Sequence, residues 1–521
     1  MTPMPSLLAQ QVAGKLSGAL MPDMGRIAPE LFLCAMVVVV LVLDIWRGRG
    51  PSEFYPRLTL LGIFGAMALV VWQVLEGAAP VHVGYGGFPA LQIDHLGAVF
   101  KLIFLAAGAL TVLFIGRSRD AYGKEAELSV LLFGALAGMC YLSSATEMLG
   151  FYLAFETVSY TGYLMAGYRT DSVKAAEAGG KYVIFGSVSS AVMLFGLSIL
   201  YGYTGSLQFD KIADVLVNAP SEPILLVAAI FVFGGFAFKA AAFPFQFWCP
   251  DVYEGSPAPI AGFLAVASKA AVFSVMVRVL WSHAAVGLAS PRIAELVASH
   301  GTFVQHVLIV SSVATMTWGN LAALRQTNLQ RMLAYSSIAH AGYLLMTAAV
   351  LGPGNSDALG AIVFYFLIYL CMNLGAFFVV AMMRRDGGTA EISSLRGLGF
   401  RQPVLAVCFA VMLFSLTGLP PTAGFVGKFQ LFAPVLSRGF YVLAAVGLVN
   451  GAISLYYYAK PLREMFLNEP AEGESSRLTP SAPDLALVVL LALPLIVLGL
   501  FGWDHVTEFA RSTAPIVAGA R

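Results

Sequence analysis

Charge is scarce in this sequence: only 11% of its 521 residues are Asp, Glu, Lys or Arg, against 59% hydrophobic. A soluble domain carries about 25% charged residues. No polar stretch is long enough to fold as a separate domain, so the whole chain is expected in a membrane, in keeping with a mean hydropathy of +0.80. A net charge of +1 implies neither a nucleic acid nor an acidic partner. Cysteine is sparse too. Cys34, Cys140, Cys249, Cys371 and Cys408 are scattered with no CxxC, which argues against an iron–sulfur ligand set or a disulfide framework. Only one of the seven histidines, His340, lies deep in an apolar run, so a bis-histidine haem is not expected. No GxGxxG follows a strand. The nearest thing to a phosphate loop, Gly424-Phe-Val-Gly427-Lys428-Phe429, lacks the first glycine at the required spacing and the Ser or Thr after lysine. No direct nucleotide binding is expected, so the energy for any transport must come from a partner or from another gradient.

What is present is apolar length. Runs of about 17–25 residues number fourteen, the first beginning near Ile27 and the last near Leu485. The expectation is an all-α polytopic membrane protein of fourteen transmembrane helices. The leading segment Met1–Gly25, with Lys15, reads as a tail or an amphipathic start rather than a targeting signal. Basic residues concentrate in the odd-numbered loops, for example Arg47, Arg49 and Arg57, or Arg384, Arg385, Arg396 and Arg401. The even-numbered loops hold Lys211, Arg292 and Arg438. The positive-inside rule makes the odd loops cytoplasmic and has both termini face outward, which is the periplasmic side if the membrane is a bacterial inner one.

Two spans are interrupted. The stretch FVFGGFAFKAAAFPFQFWCPDVYEGSPAPIAGFLAVASK, Phe231 to Lys269, carries Pro244 inside the seventh span. TGLPPTAGFVGKF carries Pro420 and Pro421 inside the twelfth. Hydrocarbon offers no water to a freed carbonyl, so such breaks belong where protein or trapped water can satisfy it. The two spans differ by an odd number and run in opposite directions. That suggests two inverted five-helix repeats, spans 4–8 and 9–13, each with a broken helix. The single membrane domain, 1–521, divides into N-terminal helices 1–3 (1–125), a first repeat (126–282), a second inverted repeat (303–466), and a last helix with its tail (484–521).

Ionisable residues inside the spans are the candidates for proton translocation, since each costs about 2.5–3.5 kcal/mol on insertion scales. Glu156 in the fifth span and Lys239 before the first break share a depth, and a pair whose separation changes would load or release a proton; a static ion pair is the alternative. Lys269 is central in the eighth span. His340 can hand protons both ways, or be a satisfied core histidine. Lys428 follows the second break and could instead snorkel outward. For Lys181, near the inner end of the sixth span, relay and snorkelling stand even. Lys101 and Arg278 sit nearer the outer surface and are read without function. Ser336, Tyr365 and Asn373 could hold waters between the charges. The run SLYYYAK in the thirteenth span reads as an interfacial tyrosine belt. Lys239, Lys269, His340 and Lys428 are expected to form one lateral line. No metal site and no catalytic residue is expected.

FKAAAFPFQFWCPDVYEGSPAPIAGFLAVASKAAVF, LRQTNLQRMLAYSSIAHAGYLL and TGLPPTAGFVGKF resemble subunit N of the proton-pumping NADH:quinone oxidoreductase, respiratory complex I, through nearly the whole of spans 4–13. The resemblance implies an antiporter-like fold. It matches Glu156, Lys239, Lys269, His340 and Lys428 to the family's charged positions in helices five, seven, eight, ten and twelve. Lysine at 428 favours the N type over the M type, which looks to carry glutamate there. It implies a translocase subunit that couples NADH-to-quinone electron transfer to proton pumping. No redox chemistry falls on this chain, because FMN, the iron–sulfur clusters and quinone belong to partner subunits. The implied partners are the complex's other membrane subunits, M, L, K, J, A and H, with lipids, in a bacterial inner membrane. A membrane subunit of a multi-subunit sodium/proton antiporter or a membrane-bound hydrogenase is the alternative, because it would share the fold and the lysines. A stand-alone solute carrier is a third, disfavoured by the small number of intramembrane polar residues.

Overall fold

A helix that is apolar on every side must be enclosed by other helices or by lipid, and this chain uses both arrangements. The computed structural model describes residues 25–47, 53–77, 79–82, 89–118, 124–218, 222–287, 291–352, 355–385, 388–469, 478–502 and 508. The leading tail with Lys15 and the C-terminal tail lie outside the described residues.

The helices are α1 (Ala28–Arg47), α2 (Phe54–Glu76), α3 (His95–Ser118), α4 (Glu125–Ser144), α5 (Met148–Ala166), α6 (Val173–Thr204), α7 (Phe209–Asn218), α8 (Pro223–Ala240) and α9 (Trp248–Gly255). After them come α10 (Ala258–Phe263), a π turn (Leu264–Ser268), α11 (Lys269–Gly287), α12 (Pro291–Ala323), α13 (Leu329–Ala348) and α14 (Ser356–Met383). The last are α15 (Pro403–Thr417), α16 (Ala423–Ser437), α17 (Tyr441–Phe466) and α18 (Ala482–Leu500). Among the described residues, 10 helices are long and apolar enough to cross a membrane. The all-helical expectation omitted one feature, a two-stranded antiparallel hairpin between α2 and α3, β1 (Ala79–His82) and β2 (Pro89–Ile93). It also passed over α7, a short surface helix in the connection between α6 and α8.

The run Ala258–Trp281 is buried along its whole length and forms the axis of the molecule. Its segments pack against α3, α4, α8, α12 and α14. Helix α14 is enclosed almost as fully, whereas α1, α6 and α18 present most of their apolar side chains outward. Exposed Leu, Val, Phe and Trp on such perimeter helices are what a lipid-facing surface requires.

Both interruptions close in the same way. At the end of α8, Ala242 N–H reaches back to Ala237 O at 2.7 Å and Ala241 N–H to Phe238 O at 3.0 Å. At the end of α15, Leu419 N–H meets Phe414 O and Gly418 N–H meets Ser415 O, each at 3.0 Å. This Schellman pattern needs a left-handed residue at the turn, supplied by Ala241 (φ 56°) and Gly418 (φ 86°). Pro244 and Pro420–Pro421 follow within the gaps, in cis peptide bonds. The first gap is satisfied by α12: Phe243 N–H donates to Thr315 Oγ1 at 2.8 Å, and Ser311 Oγ donates to Phe243 O at 2.9 Å. Trp248 Nε1 donates to Phe238 O at 3.0 Å. In the second gap, Gly424 N–H donates to Ser415 Oγ at 3.0 Å.

Candidate functional site

Lys239 is the next-to-last residue of α8, in the turn that ends at the break, and is 1% exposed. Its ammonium donates to Ser159 Oγ at 3.0 Å. The rings of Tyr182, Tyr163 and Phe155 surround it at 5.5, 5.6 and 5.8 Å, a distance at which cation–π attraction acts. Glu156 is one turn from Ser159 on α5. Lys239 thus meets Ser159 rather than forming a direct ion pair with Glu156, whose Oε1 is buried without a hydrogen-bond partner. Glu156 lies on the outward side of α5, with Leu153 and Tyr160 exposed on either side of it.

Lys269 opens α11 directly after the π turn. Such a turn, with its wider i→i+5 spacing, often marks a functional position. Lys269 Nζ donates to both the carbonyl and the hydroxyl of Ser337, each at 2.6 Å. Ser337 is one turn before His340 on α13. His340 Nδ1 lies 2.5 Å from Tyr365 Oη and its Nε2 lies 3.3 Å from Tyr458 Oη, which in turn bonds Ser336. One further turn along α13, the ring of Tyr343 lies 5.0 Å from Lys428 Nζ. Lys428 itself donates to Thr417 O at 2.7 Å, the carbonyl freed at the end of α15. One face of α13, through Ser337, His340 and Tyr343, thus brings Lys269, His340 and Lys428 together.

Lys239 stands apart from that group. Between it and Lys269 lie Tyr182, stacked on Trp248 at 4.3 Å, and Cys249, whose thiol approaches Ala334 O at 4.0 Å. The hydroxyls of Tyr163 and Tyr182 and both side-chain polar atoms of Gln246 are buried here without hydrogen-bond partners.

The partners sort the lysines into two kinds. Lys239, Lys269 and Lys428 each meet neutral oxygens, from Ser159, Ser337 and Thr417. Losing a proton from any of them breaks no hydrogen bond to a carboxylate. The other candidates are ion-paired. Lys181 is half-exposed and bridges Asp251 at 2.6 Å and Glu177 at 2.7 Å. It belongs to a surface cluster in which Arg331 also holds Asp251 and Glu254. Lys101 and Arg278 do not snorkel. Lys101 pairs with Glu30 at 2.7 Å, and Arg278 forks onto both oxygens of Asp94 at 2.6 and 2.8 Å, all buried. Lone cations at that depth would be costly, and the acids come from α1 and from the start of α3.

Residues 145–454 match the family described as NADH:quinone oxidoreductase/Mrp antiporter, TM. The chain is 38% identical over 508 residues to the NADH-quinone oxidoreductase subunit N of Anaeromyxobacter sp. (strain Fw109-5), covering 94% of this chain and 96% of the relative. The chain belongs to the subunit N family. A chain of respiratory complex I from Thermus thermophilus superposes with a TM-score of 0.74 at 31% identity, covering 92% of this chain and 98% of that one. A chain of the Mrp complex from Dietzia sp. DQ12-45-1b shares the fold, with a TM-score of 0.79 at 20% identity over 95% of this chain and 98% of its own. Every candidate from Glu156 to Lys428 falls inside the matched segment.

One reading of the sequence is corrected. Tyr457 and Tyr458 are not an interfacial belt, since both are buried to within 1%. Tyr456 alone of the three faces outward. Consecutive helical residues are about 100° apart, so three tyrosines in a row cannot all reach one surface. Tyr457 Oη donates to Asn320 Oδ1 at 3.0 Å, and neither Asn320 nor its partner Asn450 is among the sequence candidates. Their signal was available: both are uncharged amides deep in apolar helices.

Proposed function

We propose that this chain moves protons across the membrane as the antiporter-like subunit N of an NADH:quinone oxidoreductase, with Lys239, Lys269, His340 and Lys428 as carriers. The observation that carries this reading is that three buried lysines are solvated by neutral oxygens while every other buried cation discussed above is ion-paired. A hydroxyl or carbonyl tolerates both an ammonium and an amine beside it, whereas a carboxylate partner would hold the proton. Glu156 sets the charge at the Lys239 end. The side chains around it that face outward, Leu149, Leu153, Tyr160 and Leu164, suit a neighbouring membrane subunit through which redox-driven charge reaches Glu156. Lys181 acts through its surface ion pairs rather than as a carrier.

In this reading the chain has fourteen spans in two inverted repeats. The matching Schellman ends of α8 and α15 are the local features repeated between the halves. Both termini lie on the periplasmic face of a bacterial inner membrane. FMN, the iron–sulfur clusters and quinone reside in other subunits of the complex. The test is Lys239→Ala in the assembled complex, reconstituted into vesicles. Assembly should be retained and NADH-driven proton uptake should fall severalfold. Wild-type pumping by the assembled variant would contradict the role.

A further inference from the structure

Asn320, in α12, is fully buried and lies off the row of carriers. Its Oδ1 accepts from Tyr457 Oη at 3.0 Å. Its Nδ2 approaches three acceptors: Met316 O at 2.8 Å, Tyr343 Oη at 3.2 Å and Asn450 Oδ1 at 3.3 Å. An amide nitrogen has two N–H bonds. With one directed to the closest acceptor, Met316 O, the other is shared between Tyr343 and Asn450. Asn450 is itself held, donating to Thr317 Oγ1 at 3.2 Å and Val446 O at 3.0 Å.

Both tyrosines touch the carriers. Tyr343 places its ring 5.0 Å from the Lys428 ammonium and 6.0 Å from the His340 ring. Tyr457 packs its ring 4.4 Å from Tyr458, whose hydroxyl is 3.3 Å from His340 Nε2. An amide conducts protons poorly, because passing one requires the less stable imidic tautomer. It does fix the direction of its neighbours' hydroxyls. Tyr457 spends its only proton on Asn320 and is left an acceptor on its other side, while Tyr343, accepting from Asn320, is held in one ring orientation.

We propose that Asn320 is a positioning residue for proton transfer between His340 and Lys428, fixing Tyr343 under the lysine and Tyr457 beside Tyr458, with the shared N–H choosing between Tyr343 and Asn450. The proposal rests on the reading of His340 and Lys428 as carriers. A packing amide at a helix crossing would also be hydrogen-bonded. It would not need its bonds to end on the two side chains that flank the transfer step.

The experiment uses the whole complex in proteoliposomes, with Asn320→Leu, Tyr457→Phe, the double variant and Lys428→Ala as a control. Protons moved per unit time and the solvent deuterium isotope effect on NADH-driven turnover are measured. Loss of the orienting hydrogen bonds to Tyr457 and Tyr343 predicts at least about tenfold slower pumping for Asn320→Leu. The isotope effect should rise above wild type, because proton transfer becomes limiting. The double variant should be no slower than Asn320→Leu, since both cut the same bond. Unchanged pumping, slower pumping with an unchanged isotope effect, or additive losses in the double variant would each overturn the proposal. If Asn320→Leu does not assemble, Tyr457→Phe, which removes one hydroxyl, decides by the same two readouts. Impaired Lys428→Ala beside normal Asn320→Leu removes only the role of Asn320. Normal Lys428→Ala removes the carrier reading beneath it.

Discussion

The ammonium of Lys428 donates to the carbonyl of Thr417 at 2.7 Å, so the charge that follows the second interruption also satisfies the helix end the interruption leaves open. Charge and break are therefore one device. Removing the side chain strands a buried carbonyl, at a cost of about 1–3 kcal/mol. Lys428→Ala is expected to lower both pumping and the thermal stability of the solubilised complex. Lys428→Gln keeps a donor and should recover stability without recovering pumping. Equal stability of the two variants would show that the bond to Thr417 contributes nothing.

The two breaks respond to substitution with opposite signs. Ala241 holds φ 56° where glycine is usual, and Gly418 holds φ 86°. A left-handed residue with a Cβ costs about 1–2 kcal/mol. Ala241→Gly should thus stabilise the complex against heat inactivation, and Gly418→Ala should destabilise it. The second change also places a methyl 2.7 Å from Lys428 Cδ, so pumping falls with it. A shift in the same direction for both variants would refute the left-handed assignment at one of them.

Much of this was legible in the sequence because both signals, a cation in hydrocarbon and a proline in a helix, are costly enough to stand out residue by residue. Depth along a helix can be read from position, which is why Lys239, Lys269, His340 and Lys428 stand out in the sequence. Rotation about the helix axis cannot. The sequence does not say that Tyr457 turns inward while Tyr456 faces out, or that Glu156 lies on the outer side of α5. Partners distant in sequence were equally hidden: Lys101 needed Glu30, and Arg278 needed Asp94. The π turn before Lys269 left no trace, since Leu-Ala-Val-Ala-Ser carries no feature that distinguishes it from ordinary helix.

The buried pair Lys101–Glu30 is structural, tying α3 to α1. Breaking a buried pair from one side costs about 3–5 kcal/mol, whereas replacing both partners with apolar groups is often neutral. Lys101→Met alone should impair assembly, and Lys101→Met with Glu30→Leu should restore both assembly and pumping. An assembled double variant that does not pump would move this pair into the proton path.

Ser337 supplies both oxygens that hold Lys269, one from its side chain and one from its backbone, and the backbone carbonyl survives mutation. Ser337→Ala is expected to slow pumping severalfold while Lys269→Ala abolishes transfer through this subunit, both read as proton uptake by vesicles at matched NADH oxidation. A Ser337→Ala variant as defective as Lys269→Ala would mean that the hydroxyl is as necessary to the transfer as the lysine.

Continuity of the proposed row stands or falls at its centre, because among the described residues Lys269 is the one proposed carrier between the Lys239 group and the His340–Lys428 group. The decisive measurement is the number of protons moved per NADH oxidised by the intact complex carrying Lys269→Ala, with assembly verified. Fewer protons per NADH than wild type, with NADH still oxidised once the membrane is uncoupled, is the expected result. A wild-type ratio would contradict proton passage through Lys269 and, with it, a continuous path from Lys239 to Lys428.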